Sequence, residues 1–210
     1  RALAAMRARL QRAEAERNLP IAVAGLACRF PGAETADAFW ESLAGGVDAV
    51  RPVPADRWDA DAWFDPDPEA RGRIAYREAA CLDDVDGFDA DLFKIAAREA
   101  AGMDPQQRVL LEVAWHALED AGIAPDQLQR RPVGVFLGIN GTDHLQTALA
   151  DPDLLDAHAL SGAVPSAAAG RLAFLLGLTG PALVVDTACS SSLVAVHLAV
   201  QSLRRGECEL

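Results

Sequence analysis

Three short runs constrain this 210-residue chain more than anything else in it. Residues 21–26, 133–139 and 182–185 are apolar at successive positions, hence on both faces of an extended backbone. A strand of that kind has to be covered on both sides. Helical stretches lie between the runs. Residues 37–43 read as a short helix closed by Gly45 and Gly46. Asp104 followed by Pro105 is a strong helix start, an N-cap residue and then the proline favoured at the first helical position. Val109, Leu110, Val113, Ala114, Ala117 and Leu118 then form an apolar face, and Gly122 closes the helix. Residues 142–160 read as helical or irregular, and residues 167–176 as a helix. Residues 193–203 are apolar nearly all round, which predicts a buried helix. Residues 51–80 form a long ordered loop region, with Trp58, Trp63 and Phe64 among its Pro, Asp and Gly residues. Two-faced strands alternating with helices predict an α/β fold.

Composition excludes several functions. Lys and Arg number 19 and Asp and Glu 31, a formal net charge of −12, so no general basic field would draw nucleic acid. No apolar run approaches the roughly 20 residues that span a bilayer. Cys28, Cys81, Cys189 and Cys208 lie far apart, without the spacing of a zinc site or a redox dithiol. They predict free thiols in a reducing compartment, and so a cytoplasmic protein without a metal.

Residues 1–18 stand apart. Leu3, Met6, Leu10 and Ala13 recur at the spacing of an a/d seam, with arginines and glutamates on the other faces. About two heptads make a marginal helix when isolated. Asn18, before Leu19 and Pro20, marks its end. The segment reads as a frayed amphipathic arm or as a coiled coil that docks on a partner. The apolar run that follows, ending at Cys28, superficially resembles a signal peptide with a lipoprotein cysteine. Glu14 and Glu16 stand where such a signal is basic, which favours a buried strand at 21–26.

The chemistry concentrates at residues 184–194. A buried strand turns sharply into a buried helix, with Cys189 at the junction among small residues. That is the context of a nucleophile elbow. A helix N-terminus favours the thiolate, the reactive form of cysteine. Small neighbours let a carbonyl approach both the sulfur and the backbone N–H groups that would hold its oxyanion. A buried structural cysteine is the alternative reading, and Thr187 and Ser190 also read as simple helix caps.

Residues Asp186-Thr187-Ala188-Cys189-Ser190-Ser191-Ser192-Leu193 resemble the active-site motif of the β-ketoacyl synthase (ketosynthase) domains of modular type I polyketide synthases. Further stretches fit the same family in the same order. They are residues 21–32, Phe88 to Phe93, Met103-Asp104-Pro105-Gln106-Gln107-Arg108, residues 118–122, Ser166 to Leu172 and residues 180–183. The resemblance runs from Leu19 to Leu210. Ala80-Cys81-Leu82 and Phe174 depart from the family pattern, without touching the motif around Cys189.

The resemblance implies a thiolase-like layered αβαβα fold of two related halves, of which this chain holds the first. Residues 1–18 are then a helical docking or linker coil, and 19–210 the N-terminal part of a ketosynthase domain. It implies an acyltransferase that elongates polyketides by decarboxylative Claisen condensation. Cys189 would carry the acyl chain as a thioester. No cofactor would be bound directly, because the substrates ride on the phosphopantetheine of acyl carrier protein domains. A homodimer is implied as well. The family's two catalytic histidines belong to the absent half. His116 and His197 are therefore expected to be packed or satisfied helix residues, and His144 and His158 to lie at a surface or dimer contact. Two other functions compete. One is a non-catalytic docking scaffold, since half the domain is missing. The other is a cysteine hydrolase, which would need a His and an acid poised on Cys189.

Overall fold

The computed structural model describes residues 3, 6, 7, 9, 19–150 and 158–210. In the arm, Leu3, Met6, Arg7 and Arg9 are helical, and Leu3 and Met6 are exposed. Leu10 and Ala13, the other half of the predicted seam, lie outside the described residues. The chain divides into two compact units, residues 26–87 and residues 1–25 with 88–210.

In the 26–87 unit, α1 spans Ala36–Gly45. Thr35 caps it by accepting the Ala38 N–H, and Gly46, at φ +63°, ends it in the left-handed region that glycine enters freely. Phe39 stacks on Phe30 at 4.1 Å. The predicted loop region is ordered around a short antiparallel ribbon, β1 (Arg51–Pro52) with β2 (Glu78–Ala79). Between them lies α2, Ala60–Trp63, capped by Asp59. Phe64 carries the Arg77 guanidinium 4.2 Å from its ring centre, and Arg77 pairs with Asp61 at 2.9 Å. Trp58 and Trp63 stay largely exposed.

The other unit holds the core. Helix α3 spans Ala97–Gly102 and α4 Pro105–Asp120. Asp104 is buried and accepts the Gln106 N–H at 2.8 Å, as the Asp-Pro start predicts. Leu111 is the most buried residue of α4, and Ala114, Trp115 and Leu118 pack beside it. Phe93 stacks on Phe88 at 5.3 Å and meets Trp115 edge-on at 5.8 Å, which joins the turn before α3 to the α4 face. After a 3₁₀ turn at Pro125–Leu128 come β3 (Val135–Gly138), α5 (Asp143–Ala150), α6 (Ala159–Ala163) and α7 (Pro165–Leu175). Then follow β4 (Ala182–Val185) and α8 (Ser191–Arg205). Strands β3 and β4 pair in parallel, Val135 opposite Ala182 through Gly138 opposite Val185. Parallel pairing demands a crossover, which the helices between the two strands supply. Helices α7 and α8 both pack on this pair. Met103, Leu111, Ala169, Leu172 and Leu176 close the core.

Two expectations fail. Residues 21–26 form no strand, and Ile21, Val23 and Leu26 are exposed. A strand exists only by pairing, and none of the described strands pairs with this segment. Helix α8 is not enclosed. Ser191, Ala195 and Ser202 are buried, whereas Leu193 is 75% and Val196 60% exposed. Small residues bring this helix close to the sheet on one side, and no described element covers the opposite side.

Polar residues of the sequence motifs also meet here. Gln107, buried, donates from Nε2 to the carbonyls of Gly162 at 2.9 Å and of Ser161 and Val164 at 3.4 Å. Arg171 donates from Nε to Gln107 Oε1 at 3.1 Å and pairs with Glu99. This network ties α3, α4, α6 and α7 together. No helix among the described residues is long and apolar enough to cross a membrane.

Candidate active site

The site is assembled where β4 turns into α8. Residues 186–190 make the turn. Asp186 Oδ1 accepts the Ala188 N–H at 3.0 Å. Ala188 follows at φ +54°, one of three non-glycine residues with positive φ among those described. A Cβ in that region crowds the following carbonyl and costs about 1–2 kcal/mol, a strain that has to be held by its surroundings. Cys189 comes next, exposed, as a free thiol.

The serines around it act as ties. Ser191 Oγ accepts the Thr187 N–H at 2.8 Å and donates to the Ala188 carbonyl at 2.7 Å. Ser190 Oγ lies 2.8 Å from both the Thr187 carbonyl and Thr187 Oγ1. Ser190 occupies the N-cap position of α8, yet its side chain makes no cap bond to the helix. Thr187 and Ser190 thus bond to each other and do not serve as the caps the sequence suggested.

The start of α8 is set by the neighbouring strand. Gly138 ends β3, and a Cβ built on it would lie 2.7 Å from Ser192 N and 2.8 Å from the Ser191 carbonyl carbon. Only the absence of a side chain lets the strand approach this closely. Among the described residues, the Cys189 N–H has no acceptor. A free thiol beside an unengaged N–H, at the positive end of a 15-residue helix, suits attack on a carbonyl whose oxygen gathers negative charge.

Of the predicted site residues, Cys189 stands at the elbow and is exposed. Cys208 is the buried cysteine, 3.4 Å from Ser202 Oγ, and Cys28 and Cys81 are half-buried. His116 and His197 are exposed on α4 and α8, so His197 is not the packed residue expected. It lies towards the uncovered side of α8. His144 hydrogen-bonds the Gly102 carbonyl at 3.2 Å, and His158 is half-buried at the start of α6. No cluster of His, Cys, Asp and Glu able to hold a metal is found among the described residues. A cleft of about 960 Å³ in the 26–87 unit, lined by Trp58, Asp61, Tyr76 and Arg77 among others, contains no elbow residue, so volume does not mark the chemistry.

The sequence assigns no individual role to Ala188, Ser191 or Gly138, each of which shapes the elbow. The signal available for Gly138 was a glycine inside an otherwise bulky strand run, which marks close backbone approach. For Ala188 and Ser191 no local signal distinguishes the clasp from ordinary helix-start residues.

Comparison with known proteins follows the same stretch. The family described as "Beta-ketoacyl synthase, N-terminal domain" matches residues 18–210. The chain is 54% identical over 192 residues to a phenolphthiocerol/phthiocerol polyketide synthase polypeptide of Mycobacterium bovis, covering 91% of this chain and 10% of that protein. It is 50% identical over 193 residues to the pikromycin polyketide synthase component PikAII of Streptomyces venezuelae, 91% of this chain and 5% of that protein. Among solved structures, the oxazolomycin ketosynthase domain OzmH KS7 of Streptomyces albus JA3453 superposes with a TM-score of 0.82 at 36% identity, over 89% of this chain and 33% of that one. The ketosynthase from module 6 of the bacillaene synthase of Bacillus subtilis 168 gives 0.73 at 35%, over 88% and 29%. The chain therefore spans a tenth or less of these curated relatives and about a third of the solved ketosynthase domains.

Proposed function

The chain belongs to the β-ketoacyl synthase family, as an N-terminal ketosynthase segment of the modular type I polyketide synthase kind, and on that premise we propose that it provides the acyl-accepting half of a chain-elongation site. The observation that carries the proposal is the exposed Cys189 thiol at a strained strand-to-helix elbow, beside its own N–H, which has no acceptor among the described residues.

The Cys189 thiolate attacks the carbonyl of an acyl thioester on the phosphopantetheine of an acyl carrier protein. A sulfur–carbon bond forms, and the phosphopantetheine thiol leaves and takes up a proton. The tetrahedral oxygen accepts a hydrogen bond from the Cys189 N–H. An extender unit such as malonyl, on a carrier protein, then loses CO₂. The electron pair of the broken carbon–carbon bond forms an enolate that attacks the Cys189 thioester. A new carbon–carbon bond forms and the Cys189 thiolate is released. The product is a β-ketoacyl thioester longer by one extender unit.

The layered αβαβα arrangement belongs to this proposal, with residues 19–210 as the N-terminal part of a ketosynthase domain and residues 1–18 as a docking or linker helix. So do a second copy of the ketosynthase and carrier-protein domains as partners. The four histidines take no catalytic role in it. His197 is eight residues beyond Cys189, about 12 Å along the helix, and exposed.

The test is acylation of the full-length protein by a small diffusible acyl thioester, read by peptide mass spectrometry. The acyl group is expected on Cys189, and Cys189→Ala abolishes it. Acylation that persists in that variant, or that lands on Cys28, sinks the assignment.

A further inference from the structure

Of the three consecutive serines after Cys189, only Ser191 is buried, at 6% exposure, while Ser190 and Ser192 are exposed. Ser190 holds the N-cap position, and Ser191, as the first helical residue, leans back towards the N-terminus. Its hydroxyl reaches back over the elbow, accepting from Thr187 N at 2.8 Å and donating to the Ala188 carbonyl at 2.7 Å. These two bonds bracket Thr187 and Ala188, the second of which carries a Cβ at positive φ; they add to the Asp186 carboxylate on the Ala188 N–H at 3.0 Å and the Ser191 N–H on the Ala188 carbonyl at 3.0 Å. The residue after that Cα is Cys189.

We propose that Ser191 is a positioning residue, whose buried hydroxyl holds Ala188 in its left-handed conformation and so aims the Cys189 thiol and N–H at the same acyl carbonyl. The inference rests on the reading of Cys189 as the acyl acceptor. Without the clasp, the Ala188 backbone relaxes towards negative φ, the peptide between Ala188 and Cys189 rotates, and the N–H turns away from the thiol's target. The sulfur itself remains at the surface. Acyl transfer, which needs both groups, is lost, and simple alkylation, which needs only the sulfur, is not.

The experiment compares Ser191→Ala, Ser191→Thr, Ala188→Gly and the Ser191→Ala/Ala188→Gly pair in the full-length protein. Each is followed by acylation of Cys189 from a small acyl thioester and by alkylation of Cys189 with iodoacetamide. Ser191→Ala is expected to slow acylation about tenfold or more, the scale of a slight misplacement at a reacting centre, with alkylation within about twofold. Ser191→Thr keeps the hydroxyl and retains most of the rate. Adding Ala188→Gly to Ser191→Ala restores acylation to within about threefold, because glycine holds positive φ without help. Acylation within twofold of the parent in Ser191→Ala overturns the proposal, as does equal slowing of alkylation or no recovery on adding Ala188→Gly. If the parent's Cys189 accepts no acyl group, the functional reading fails by itself. The clasp is then judged by denaturant unfolding. The loss in folding equilibrium constant caused by Ser191→Ala should be several-fold smaller in the Ala188→Gly background, and equal losses overturn it.

Discussion

Replacing Gly138 by alanine probes the registration of the nucleophile helix without touching any group that does chemistry. Gly138 has no positive φ, so alanine is free to adopt its backbone conformation, and the effect is steric alone. The new methyl would stand 2.7 Å from Ser192 N and 2.8 Å from the Ser191 carbonyl carbon, where ordinary contact begins at about 3.5 Å. The shortfall is therefore about 0.8 Å, and both sides are backbone. Strand β3 is fixed by its pairing with β4, Gly138 opposite Val185, so the start of α8 has to give way. Overpacking of this kind costs about 1–3 kcal/mol. A displacement near 1 Å at a reacting group can cost about 100-fold in rate. The expected outcome is a lowered thermal midpoint together with acylation of Cys189 slowed roughly 10- to 100-fold. Gly170→Ala is the control. It sits within α7 with nothing near its Cβ position, and alanine should stabilise by about 0.5–1 kcal/mol. A Gly138→Ala protein that acylates at the parent rate with an unchanged midpoint would refute the idea that this close approach sets the elbow.

Two more outcomes are expected. Arg171→Met should destabilise by about 2–4 kcal/mol in a thermal or denaturant melt, less than a fully enclosed pair because Glu99 is a quarter exposed, and adding Glu99→Gln should recover more than half of the loss. Deleting residues 1–17 from the full-length protein should leave Cys189 acylation by a diffusible thioester nearly intact while weakening chain transfer from the upstream carrier; loss of self-acylation would make the arm part of the core.

Elements whose signals are local were legible from the residues alone. Asp104 before Pro105 announced α4 because capping involves only neighbouring N–H groups, and Gly46 and Gly122 stop their helices at positive φ for an equally local reason. The strand-turn-helix around Cys189 was legible for the same cause, since a small-residue turn between an apolar strand and an apolar helix leaves few other readings. Features that depend on a distant partner followed from packing. Residues 21–26 have the pattern of a strand, but a strand needs a partner, and none of the described strands pairs with them. The all-round apolar character of α8 said that it could be buried, not which side the sheet would take. Gly138 became part of the elbow only when β3 arrived beside α8, 53 residues away along the chain from Gly138 to Ser191. Gln107 and Arg171, 64 apart in sequence, were motif residues without a role until α4 and α7 brought an amide and a guanidinium within 3.1 Å. A pattern of residue types carries local preference. Which polar groups satisfy one another, and which glycine admits a neighbouring backbone, is settled by packing between segments that the pattern does not relate.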